Sequence, residues 1–169
     1  GNYFNEKHSL FREVLEQGQQ RLADLITPSR IQLIDSMDDW RQGIMLAAAP
    51  LLDEGLITGH YVTAMIDCVE QYGPYIFINP EVALAHAKPN GHVHRLSASM
   101  LLLREGVVFP EGKIAQVIIV LGLVDDEQHL GALKDVIDFF GDSQNTEQLL
   151  NSVNEVVAYS LLASMPISE

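Results

Sequence analysis

The chain has 169 residues, 47% of them apolar, and a formal net charge of −13. That length suits one domain with a sizeable core, and that apolar content weighs against disorder. The acidity weighs against nucleic-acid binding and against docking on anionic lipid, and it suits a basic protein partner steered by charge.

Cys68 is the sole cysteine, so no intrachain disulfide forms, in keeping with a reducing compartment. No basic-then-apolar leader pattern is present, and the expected location is the cytoplasm. The longest apolar runs, residues 117–124 and 44–52, fall well short of the roughly 20 residues of a membrane-spanning helix.

Residues 7–24 carry Leu10, Phe11, Val14, Leu15 and Leu22 at helical spacing, and Thr27-Pro28-Ser29 ends that segment. Residues 31–34 form a short strand. Ser36-Met37-Asp38-Asp39 has a capping-box pattern ahead of a helix presenting Trp40, Ile44, Ala48 and Leu51. Thr58 can cap the next helix, whose apolar stripe is Tyr61, Met65, Cys68 and Tyr72, with Gly73-Pro74 as its stop. On this stripe Cys68 is expected as a small core residue.

Strands then follow at residues 75–78, 82–85, 97–103 and 115–124. The last two are apolar on both faces and are expected inside a sheet. Tyr75 and Phe77 are expected in the core. Leu130, Leu133, Ile137 and Phe140 mark a helix closed by Gly141, and Leu149, Leu150, Val153, Val157 and Leu161 mark one or two closing helices. Helices on both sides of the strand block predict a layered α/β domain.

Histidines are the candidate reactive groups, because imidazole changes protonation near neutral pH and can act as a nucleophile. His86 follows an apolar strand within Ala85-His86-Ala87, and His129 follows another within Asp125-Asp126-Glu127-Gln128-His129. Each alone fits a hydrogen-bonded histidine at a sheet edge or helix start. Together, at strand ends where ligand sites gather in α/β sheets, they suggest one reactive site. His92-Val93-His94 is an HxH pair; a zinc site there needs a third donor such as His86 or Glu105. His8 and His60 are expected as solvated surface residues. The chain has no G-x-S-x-G elbow, P-loop or G-x-G-x-x-G.

Gly73-Pro74-Tyr75-Ile76, then Ala83-Leu84-Ala85-His86-Ala87-Lys88-Pro89, then Val93, resemble the IIA component of the bacterial phosphoenolpyruvate-dependent sugar phosphotransferase system. The likeness is to the fructose/mannitol-type superfamily, and within it to the ascorbate-type branch. It covers residues 25–162 and leaves residues 1–24 as an N-terminal helical extension to a domain of residues 25–169.

The resemblance implies a mixed β-sheet flanked by helices on both faces, in three layers. The family's phosphorylated histidine lands on His86 and its second active-site histidine on His129. Two positions depart from the pattern. Ala85 replaces the usual proline, and Cys68 stands where mannitol-type members carry an arginine that clamps phosphate.

The implied activity is a phosphohistidine relay that needs no cofactor or metal. The phosphocarrier HPr supplies the group, a IIB component receives it, and a IIC permease couples it to uptake of a sugar, with ascorbate the branch's suggestion. Lys88, Ser97 and Ser99 lie near His86 in sequence and are expected as bystanders. Two alternatives stay open: a regulatory IIA-like protein that senses carrier phosphorylation, and a metal-binding protein using His86, His92 and His94. The N-terminal segment either packs on the domain or joins two copies as a homodimer.

Overall fold

A computed structural model describes residues 20–125 and 130–165. The expected helix over residues 7–24 lies largely outside the described residues, as do His8 and His129. The described chain enters through a short helix, α1 (Leu22–Leu25), and a 3-10 turn at Pro28–Arg30. Strand β1 (Ile31–Ser36) leads to the helices α2 (Trp40–Asp53) and α3 (Gly59–Tyr72). Four strands follow: β2 (Phe77–Asn79), β3 (Val82–Ala85), β4 (Ser97–Val108) and β5 (Ile114–Gly122). The described chain closes with α4 (Leu130–Phe140), α5 (Ser143–Leu150) and α6 (Glu155–Ala163).

Among the described residues the strands form one mixed sheet in the order β1-β4-β5-β3-β2. β4 runs antiparallel to β5 at the centre, while β1 is parallel to β4 and β3 is parallel to β5. The period-2 alternation of the strands divides the core in two. Ala83, Ala85, Leu101, Leu103, Ile118 and Val120 face α2 and α3. Val82, Leu84, Met100, Leu102, Val117 and Ile119 face α1, α4, α5 and α6. The expected three-layer α/β architecture is the one observed, and β4 and β5 are buried interior strands, as is β3.

Local details differ from the sequence expectations for physical reasons. α2 starts at Trp40, capped by the Asp39 carboxylate, which accepts from Arg41 N at 2.9 Å. Ser36 cannot cap it, because the ladder from β1 to β4 runs through Ser36 opposite Gly106. Thr58 occupies the cap position of α3, but its buried hydroxyl has no hydrogen-bond partner among the described residues. On α4 the buried stripe is Ala132, Asp135, Val136 and Phe139 with Phe140, while Leu130 and Ile137 are exposed. Val153 is 81% exposed beyond α5, and α6 packs through Ala158 and Leu162 rather than Val157.

Candidate functional site

Strand register fixes where His86 lies. Ala85 stands opposite Val120 in the parallel ladder with β5, so the ladder itself holds the backbone that leads into His86, where proline would otherwise stiffen it. β3 and β5 run the same way, so the chain leaving β5 at Leu123 emerges beside His86. At the other wall, Gly73 ends α3 with φ +85°, a conformation that side chains rarely adopt, and its N–H donates to Val69 O. The tight turn returns the chain so that Leu84 N donates to Ile76 O, which sets Tyr75 against His86 with ring centroids 6.3 Å apart, edge to face.

A cavity of about 400 Å³ results, lined by Cys68, Tyr72, Tyr75, His86, Ala87, Lys88 and Leu123. The stripe Tyr61, Met65, Cys68 and Tyr72 runs along α3 from the core to the rim of this cavity. Tyr61 and Met65 are fully buried, Cys68 is half-buried, and Tyr72 is exposed. Cys68 therefore packs against the edge of the core, as expected, and also forms a wall of the cavity. Partial burial, the larger cause, together with the neighbouring Cys68 thiol pushes the Tyr75 hydroxyl up to about 12. Tyr75 thus stays a neutral hydrogen-bond donor through the physiological range.

His86 is half-buried, and its Nδ1 lies 2.9 Å from Leu84 O. A carbonyl only accepts, so Nδ1 carries the proton and donates it. In the neutral ring that places the lone pair on Nε2. A hydrogen bond back to its own strand thereby orients the ring and selects the nucleophilic nitrogen.

The next residue is anchored from below. Tyr61 Oη donates to Leu121 O at 2.6 Å and accepts from Ala87 N at 3.2 Å, so one buried hydroxyl ties the end of β5 to the loop after β3. Burial holds this phenol above its ordinary value and keeps it a donor. Tyr61→Phe strands a buried carbonyl and a buried N–H, for an expected loss of about 1–3 kcal/mol in chemical denaturation. Hydrogen exchange at Ala87 should also accelerate; an unchanged rate there would show that the bridge does not hold the loop.

The remaining expected residues fall elsewhere. Ser97 and Ser99 are fully buried and spend their hydroxyls on Arg95 O and Ala47 O, so neither serves the cavity. Val93 bridges Ile57, and the His92 ring packs against His60 of α3 at a centroid distance of 4.9 Å, so His60 has a partner although it is exposed. His94 is exposed, and its N–H donates to Leu56 O. Among the described residues no group of three His, Cys, Asp or Glu is placed to hold a metal, so His86, His92 and His94 do not converge. His129 lies outside the described residues. Phe77 packs edge-on to Phe109, as a core residue should, but Tyr75 is half exposed at the cavity. The signals for Tyr61, Cys68 and Tyr75 were their shared helical stripe and the Gly-Pro turn ahead of the histidine strand.

The chain has relatives in both sequence and structure. Residues 24–165 match the family model of the phosphoenolpyruvate-dependent sugar phosphotransferase system, EIIA 2. A mannitol-specific cryptic phosphotransferase enzyme IIA component of Escherichia coli (strain K12) is 32% identical over 136 residues, covering 80% of this chain and 92% of the relative. An ascorbate-specific EIIA component of Mycoplasma pneumoniae is 29% identical over 134 residues, covering 78% of this chain and 84% of the relative. The solution structure of a mannitol-specific cryptic enzyme IIA from Escherichia coli superposes with a TM-score of 0.77 at 30% identity, covering 85% of this chain and 99% of that one.

Proposed function

Because the chain belongs to the EIIA 2 family of the phosphoenolpyruvate-dependent sugar phosphotransferase system, we propose that it carries a phosphoryl group on Nε2 of His86. The observation that carries this reading is the Nδ1 hydrogen bond to Leu84 O, which leaves Nε2 as the ring's nucleophilic atom beside an accessible cavity. HPr is the donor and a IIB component the acceptor. The sugar belongs to the permease of the system, in keeping with one relative named for mannitol and another for ascorbate.

In the transfer the Nε2 lone pair attacks phosphorus, the phosphorus–nitrogen bond to the donor histidine breaks, and the donor imidazole leaves with that bond's electron pair. The Nδ1 proton stays in place, because Leu84 O cannot take it. The phosphorylated ring therefore remains protonated at Nδ1 and is itself a good leaving group in the next transfer, as a relay requires. Positioning carries most of the catalysis, since phosphoryl transfer asks little covalent chemistry of the protein. His129 would hydrogen-bond the phosphoryl oxygens. Tyr72 and Tyr75 offer an apolar rim to a docking protein, and the net charge of −13 favours a basic-faced donor.

The test is intact-mass analysis after incubation with phosphoenolpyruvate, enzyme I and HPr. One acid-labile phosphoryl addition supports the relay, and none rejects it. His129→Ala should keep the acceptor and slow transfer by roughly 100–1,000-fold, the range of a lost transition-state donor. An unaltered rate would remove His129 from the mechanism.

A further inference from the structure

We propose that Lys88 is the cation that neutralises the phosphoryl group on His86, an inference that rests on the function proposed above. Bound phosphate brings a charge of about −1.5 to −2 into the site. The molecule already carries a formal −13, so a local cation is needed to hold that group. The cavity around His86 includes one charged side chain in its described lining, and that side chain is Lys88.

The backbone puts Lys88 on the correct side. Pro89 restricts Lys88 to extended conformations. Along an extended chain, residues two apart project to one side and the residue between them to the other. The burial follows this alternation: His86 is half-buried, Ala87 is buried with its N–H on Tyr61 Oη, and Lys88 is exposed. Among the described residues no ion pair holds the Lys88 ammonium, whereas Arg21, Arg30, Arg41 and Arg104 are each engaged by a carboxylate. Cys68, whose side chain carries no positive charge in either protonation state, forms the facing wall and supplies no cation.

The experiment phosphorylates the full chain with phosphoramidate, so that no protein donor enters. Nε2 bonds to phosphorus, the donor's phosphorus–nitrogen bond breaks, and ammonia leaves. The pH titration of the 31P resonance is then compared in wild type, Lys88→Gln and Lys88→Arg. Removing a neighbouring positive charge disfavours the phosphoryl dianion, so Lys88→Gln should raise the titration midpoint by roughly half to one pH unit, and Lys88→Arg should restore it. Uptake of the phosphoryl group should fall about 10-fold in Lys88→Gln, with an unchanged thermal melt because the side chain is exposed. If wild type is phosphorylated and Lys88→Gln titrates at the same pH, the inference fails and the reading of His86 stands. If wild type takes no phosphoryl group on His86, both fall.

Discussion

His86→Ala should reduce phosphoryl uptake to background, a loss of roughly three or more orders of magnitude in rate, because no other group in the described lining of the cavity is a nitrogen nucleophile with a fixed free lone pair. Cys68 shares the cavity, but a phosphoryl group reaching its thiol would give an adduct with different acid stability, so mass analysis with acid treatment separates the two. His86→Gln is the stricter variant. It keeps a polar side chain of similar reach and removes only the nucleophile. Both variants should retain the wild-type fold, since His86 is half-buried at a strand end and outside both apolar clusters. Uptake by either variant at a wild-type rate would move the acceptor elsewhere.

Asp135→Ala should have the largest effect on stability among single polar changes, about 2–4 kcal/mol in chemical denaturation. Asp135 lies on the buried stripe of α4, and its Oδ2 accepts from Arg21 Nε at 2.7 Å and from Leu22 N at 2.9 Å. One carboxylate oxygen thereby closes the first turn of α1 and pins it to α4. Its removal takes that acceptor from a buried N–H and from a guanidinium about a quarter exposed. Activity at low temperature should persist, because neither residue approaches the His86 cavity. A cost below about 0.5 kcal/mol, the size of a weak surface pair, would show that Asp135 does not tie α1 to the domain.

Asp135 also marks the limit of what the sequence discloses. α4 carries two overlapping apolar stripes, Leu130-Leu133-Ile137-Phe140 and Ala132-Val136-Phe139. Pattern alone prefers the former, because Asp135 gives the latter a polar character. The latter is buried because Arg21 and Leu22, more than a hundred residues away, satisfy that carboxylate. Strands β3, β4 and β5 were legible for the opposite reason: their β-rich apolar runs need no distant partner to be recognised, and they bury both faces.

The same division holds at the site. His86 stands out as a candidate from its place after an apolar strand within a family motif. The tautomer was not, since it depends on the ring folding back to Leu84 O. Tyr61 reads as one more apolar residue of a helix, and only the third dimension shows its hydroxyl between Leu121 and Ala87. Cys68 reads as core because helical spacing places it in line with Met65. The turn at Gly73 leaves a cavity on that end of α3, and Cys68 forms a wall of it as well. Lys88 reads as a bystander in the sequence, and its place as the cation of the described cavity lining emerges only from the fold.

The most direct test of the relay is the nitrogen that carries the phosphorus. The chain would be labelled with 15N-histidine and phosphorylated, and its ring nitrogens read by long-range 1H–15N correlation with 31P coupling. Phosphorus is expected on Nε2 of His86, with Nδ1 still protonated toward Leu84 O. Phosphorus on Nδ1, or on any other residue, would contradict the relay as drawn.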